Sequence, residues 1–214
     1  MNRALLLLFT FISISTFAQK TTTDSITDNG KRLIQLLEDS QVEVLWQKGY
    51  RINWETGESI GPSKKSTSTH CSAFAAAFAK KEGIYLLRPP EHKTHLLANA
   101  QFEWLQTKDA ANNGWVELKT VLEAQNEANN GNLVIAVYKN EDDSKPGHIA
   151  VIRPALKTVK QIETEGPQIT QAGSTNYSSV SLKVGFRQHP KAWPNGVRFY
   201  MNQIKRNELK NKER

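Results

Sequence analysis

The first apolar block, Ala4 to Phe17, follows Arg3, is interrupted only by hydroxyl residues and carries the small residues Thr16 and Ala18 at its end. A basic start, a short apolar run and a small-residue boundary predict a cleavable export signal over 1–18, and the run is shorter than the ~20 residues of a spanning helix. The next stretch, 19–30, is rich in Thr, Asp, Ser and Gly and predicts a flexible lead-in. Leu33, Leu36, Leu37 and Val44 recur at helical spacing and predict a helix over Lys31 to Leu45. An extended piece around Trp46 to Trp54 precedes a loop from Glu55 to Thr69, marked by Gly57, Gly61 and Pro62.

Ser72 to Lys81 is alanine-rich with Phe74 and Phe78 four apart, which predicts a buried helix capped by Ser68 or Thr69 and ended by Gly83. Two more helices are expected at 92–107 and 115–128. Beyond 131 the pattern changes to short β-type runs: Leu133 to Tyr138, His148 to Arg153, a segment near 167–172, and Val197 to Met201. Helices first and strands after predict an α+β domain with an antiparallel sheet, spanning 31–204, followed by a basic tail at 205–214.

Composition adds two constraints. Without residues 1–18 the chain keeps 27 basic against 21 acidic residues, a net charge of +6 that suits anionic surroundings. The basic residues are dispersed, so no nucleic-acid partner is expected, nor any stable membrane insertion. Cys71 is the single cysteine. In an exported chain, where cysteines ordinarily pair, a lone thiol is a buried small residue, a link to another chain or a reactive group.

Its position bears on that choice. Cys71 stands where a polar loop turns into an apolar helix, where free N–H groups and the helix dipole favour thiolate. A thiol nucleophile needs a base, and the chain has five histidines. His70 is adjacent to Cys71 and would point elsewhere, as a loop or substrate-side group. His92 and His95 lie three apart on an expected polar helix, His189 precedes Pro190 in a turn, and no ligand cluster calls for a metal or other cofactor. His148 follows Pro146-Gly147 and opens an apolar strand, which would hold an imidazole rigidly.

His70-Cys71-Ser72-Ala73-Phe74 resembles the D-C-S-G-F helix start of NlpC/P60 cysteine peptidases. Gly131-Asn132-Leu133-Val134-Ile135 is similar to their G-D-L-V-F strand, and Gly147-His148-Ile149-Ala150-Val151 to the histidine strand, closer to the CHAP form. The resemblance covers roughly 61–175 and implies a papain-like core in which the cysteine helix packs on an antiparallel sheet. It also implies amide hydrolysis in peptidoglycan stem peptides by Cys71 and His148. A third residue would orient the imidazole from the following strand: Gln171 takes the place of the CHAP glutamate, with Gln168, Glu165 and Asn176 as rivals. Alternation puts Gln168 and Gln171 on opposite faces. Departures are His70 in place of aspartate, no match to a Tyr-Gly-Gly segment near Tyr50, and 77 positions between Cys71 and His148, which predicts a helical insertion at about 84–128 shaping the cleft. A cell-wall-binding module without catalysis, an acyltransferase and a protein-directed peptidase are the alternative readings. The five tryptophans could include a sugar-stacking face, but tryptophans more often serve the core and none is assigned a role.

Overall fold

The computed structural model describes residues 25–205; the expected export signal and all but the first residue of the expected tail lie outside them. The domain is α+β. Helix α1 (Asp28–Glu38) is followed by a small antiparallel pair, β1 (Tyr50–Ile52) and β2 (Ser59–Pro62), and then by α2 (Cys71–Lys81). Next come α3 (Leu97–Trp104), α4 (Lys108–Asn112), β3 (Val116–Leu118) and α5 (Val121–Asn129). The second half holds β4 (Leu133–Tyr138), β5 (His148–Ile152), α6 (Val159–Glu165), β6 (Gln168–Gln171), β7 (Tyr177–Ser181), α7 (Leu182–Gly185) and β8 (Arg198–Asn202). The main sheet runs β3-β8-β4-β5-β6-β7, and every pairing is antiparallel.

β4 and β5 are buried along their whole length because helices cover both faces of the sheet. Leu133, Ile135, Val137, Ile149 and Val151 meet α1 and α2 on one face. Val134, Ala136, Ala150 and Ile152 meet Ala124 and Ala128 of α5, together with Leu182 and Phe186, on the other. This explains near-continuous apolar runs in an antiparallel sheet, where a half-solvated strand would alternate.

α2 is buried from Cys71 to Ala79, enclosed by Leu33, Leu37, Trp46 and Leu86 as well as by the sheet. A helix apolar all round belongs in an interior. Its five alanines leave room for close approach to β5, while Phe74 fills the space toward Trp46, with ring centroids 5.2 Å apart. Gly83 has φ +72, the left-handed conformation that closes a helix.

Several expected boundaries are corrected. α1 starts at Asp28, inside the expected lead-in, because Thr27 caps it by accepting from the Gly30 N–H. It stops at Glu38 rather than 45: Gln41 has φ 50, and Val44, expected on the apolar face, is 67% exposed. The expected loop 55–69 contains β2, paired with β1. The expected helix at 92–107 begins only at Leu97, so His92 and His95 are not helical; Leu96, with φ 53, marks the entry. The expected helix at 115–128 is instead β3 followed by α5, which starts at a capping box of Thr120 and Glu123.

Candidate functional site

α2 has no side-chain cap. Its N-cap is His70, while Ser68 and Thr69, the expected caps, lie too far upstream to reach the first turn. The backbone N–H groups of Ile149 in β5, of Ser72 and of Cys71 itself lie near enough to the sulfur to favour its charged form. The Ile149 contact sets the sulfur against the residue that follows His148.

The thiol does not titrate low, however. Cys71 is 6% exposed, and burial pushes its pKa up against the downward pull of the three N–H groups. The thiolate expected from helix position alone is outweighed by desolvation.

His148 stands at the first residue of β5, and its ring is held on three sides. Phe186 meets it edge-on at 4.6 Å, and His189 stacks on it at 5.5 Å with the planes 17° apart. Nε2 lies 2.8 Å from Gln171 Oε1. The Gln171 amide orientation is fixed independently, because its nitrogen donates to the Thr175 carbonyl, which can only accept. The oxygen therefore faces the ring, Nε2 carries the proton, and Nδ1 keeps its lone pair. Burial lowers the His148 pKa to about 4 despite Gln171, so the ring is neutral near pH 7.

The turn before His148 is equally constrained. A Cβ on Gly147 would stand 2.1 Å from the Tyr138 carbonyl oxygen and 2.5 Å from Asn99 Oδ1. Asn99, on α3, donates to the Lys145 carbonyl and accepts from the Asn140 N–H, clamping the β4–β5 hairpin. The segment at 84–128 thus braces the histidine and adds β3 to the sheet. It contributes no residue to the cleft, contrary to the expectation that it shapes it.

The rival third residues do other work. Gln168 bonds Ser179 from the far side of β6, and Glu165 pairs with Lys157. Asn176 accepts from the Gly173 N–H and donates to the carbonyls of Val42 and Leu45, tying the loop after Gln171 to the segment after α1. His70 donates through Nε2 to the Tyr50 carbonyl at 2.8 Å, anchoring the β1 segment to the start of α2.

His148, Gln171 and Gly173 open onto a cleft of about 230 Å³ shared with Lys48, Thr69 and His189. Larger cavities, of about 380 Å³ by Trp46 and Phe78 and about 610 Å³ by Gly83 and Met201, have neither histidine nor cysteine in their walls. Cys71 lies behind the cleft surface, and among the described residues no hydrogen bond joins its sulfur to the His148 ring. None of the five tryptophans is exposed. No group of three or more His, Cys, Asp or Glu that could hold a metal ion occurs among the described residues.

Sequence reasoning missed His189, whose turn carries no distinguishing signal; only the fold stacks it on His148. The site therefore comprises a lone thiol at an uncapped helix start, a tautomer-fixed neutral imidazole and a polar cleft. Neither a scan against protein-family models nor a search of curated proteins finds a match to the chain.

Proposed function

We propose that the chain is an exported cysteine hydrolase with a papain-like core of the NlpC/P60 and CHAP kind, cutting amide bonds in peptidoglycan stem peptides. The carrying observation is the Gln171-fixed tautomer of His148, which leaves the lone pair on Nδ1, the nitrogen turned away from Gln171. The proton of Cys71 passes to Nδ1 as the sulfur attacks the amide carbonyl carbon. The backbone N–H groups at the start of α2 stabilise the negative charge that develops. The imidazolium then protonates the departing amine as the C–N bond breaks, leaving a thioester. Water, deprotonated by the same nitrogen, attacks the thioester and releases the acid and the thiol.

Gln171 orients the ring without adding charge. It stabilises imidazolium less than a carboxylate would, in keeping with the low His148 pKa. The resting site thus holds a neutral thiol and a neutral ring, and ion-pair formation accompanies substrate binding.

The test is release of peptide fragments from purified cell wall. Cys71→Ala should abolish release while leaving the circular dichroism spectrum and Tm unchanged, and retained release overturns the assignment. Burial of Cys71, with no hydrogen bond to the ring among the described residues, favours a second reading, a catalytically idle cell-wall-binding module. Iodoacetamide labelling separates the two. A Cys71 rate at pH 7 that falls about tenfold or more in His148→Gln supports the hydrolase, and a rate that His148→Gln leaves unchanged supports the module.

A further inference from the structure

The walls of the cleft are uneven in charge. Lys48 and the His148–His189 pair line it, and no Asp or Glu does. Lys48 is exposed and forms no salt bridge among the described residues. Its backbone is nevertheless held in place. The Gly49 N–H donates to the Ser68 carbonyl, the Ser63 N–H donates to the Gly49 carbonyl, and the His70 ring is bonded to Tyr50. The cation therefore sits on a strap pinned to the loop that leads into Cys71.

His189 is fixed just as closely. Its ring is half-buried between His148 and Tyr138, whose centroid is 5.6 Å away, and its backbone N–H donates to the Phe186 carbonyl. Neither ring nitrogen is hydrogen-bonded to protein among the described residues. An oriented imidazole edge and an unpaired ammonium lining one carboxylate-free cleft form a receptor for an anion.

We propose that the cleft receives a ligand bearing a free carboxylate next to the bond attacked, with Lys48 and His189 as the residues that select it. The inference rests on the cleft being the substrate site proposed above. It goes further by distinguishing substrates with a free acid from their amides. Carboxylate binding would also counter the burial that disfavours charge on His189, whose pKa is otherwise lowered to about 4.

Cys71 is the only thiol, so alkylation reads this site alone. The measurement is the rate of Cys71 alkylation by iodoacetate, an anion, relative to iodoacetamide, its neutral counterpart, in wild type, Lys48→Gln and His189→Gln. Alongside it, the histidine ring resonances are followed by NMR while N-acetylalanine or N-acetylalanine amide is added. The expected result is a fall of about three- to tenfold in the iodoacetate-to-iodoacetamide ratio in Lys48→Gln, the size of effect one nearby charge has at a solvated site. The acid, but not the amide, should shift the His148 and His189 signals. Labelling by both reagents with an unchanged ratio in both variants overturns the inference and leaves Cys71 as nucleophile intact. Labelling by neither reports only the burial of the resting thiol; the NMR comparison then decides, and equal or absent responses to acid and amide overturn carboxylate selection.

Discussion

Two regions of the molecule are built on opposite principles, and they meet at β5. Around α2, Phe74, Phe78, Leu33, Leu37, Ile149 and Val151 form an apolar cluster. Around His148 the burial is just as deep but depends on directed bonds: Gln171 to the ring and Thr175, Thr170 to the Ser178 carbonyl, Asn176 to four backbone groups. Apolar packing tolerates small displacements, whereas each buried polar group loses its full desolvation energy if its partner moves. Cys71 belongs to the first region and His148 to the second. The pair is therefore positioned by a stiff helix from one side and a hydrogen-bond chain from the other.

The largest expected effect breaks the apolar side. Phe74 is fully buried between Trp46 and the sheet, so Phe74→Ala should cost about 3–5 kcal/mol in urea unfolding. A loss below ~1.5 kcal/mol would mean that α2 is not held as described. The next effect belongs to the polar side. His148 has a folded pKa of about 4 against about 6.5 unfolded, so between these values the unfolded chain binds a proton that the folded chain excludes. Stability is fully present above pH 6.5 and falls as pH drops toward 4, by roughly 3 kcal/mol from this group. His189 acts in the same direction. Denaturation at pH 7, 5.5 and 4 should show this slope in wild type and a shallower one in His148→Gln.

Gln171→Ala tests whether the bonds on this side serve chemistry or only folding. Loss of the buried amide should cost about 1–3 kcal/mol of stability and free the ring to change tautomer. Release of wall fragments should fall by about tenfold or more, and Gln171→Glu should restore part of it with the rate's pH profile shifted upward, since a carboxylate favours imidazolium. Equal stability loss without a rate change would make Gln171 purely structural.

Legibility in sequence followed the same division. β4 matched its expected bounds because an apolar run between Asn132 and Lys139 has no other way to be buried. α2 was legible from its alanines and paired phenylalanines. β7, Tyr-Ser-Ser-Val-Ser, was not expected, because an edge strand needs no apolar alternation when its polar side chains face solvent. The split of 115–128 was readable in principle, since Thr120 and Glu123 spell a capping box. At the site, the meeting of His148 with Gln171 could be anticipated from strand alternation. The stacking of His189 could not, because it depends on how α7 turns the chain back across β6. The raised thiol pKa was hidden for a related reason: helix position is local and visible, whereas burial is a property of the whole packing.

The smallest expected effect lies at the junction of the two sides. His70 precedes Cys71, yet its ring is spent on the Tyr50 carbonyl at 2.8 Å, and burial lowers its pKa. If it serves only to pin the strap carrying Lys48, His70→Gln, whose amide can still donate to that carbonyl, should change stability by less than ~1 kcal/mol and leave Cys71 alkylation by iodoacetamide within about threefold of wild type. His70→Ala, which removes the donor, should loosen the strap and lower the iodoacetate-to-iodoacetamide ratio, as Lys48→Gln does. A large rate loss in His70→Gln with the ratio preserved would instead make His70 a direct participant at the thiol, and the division of labour between the two regions would have to include the residue between them.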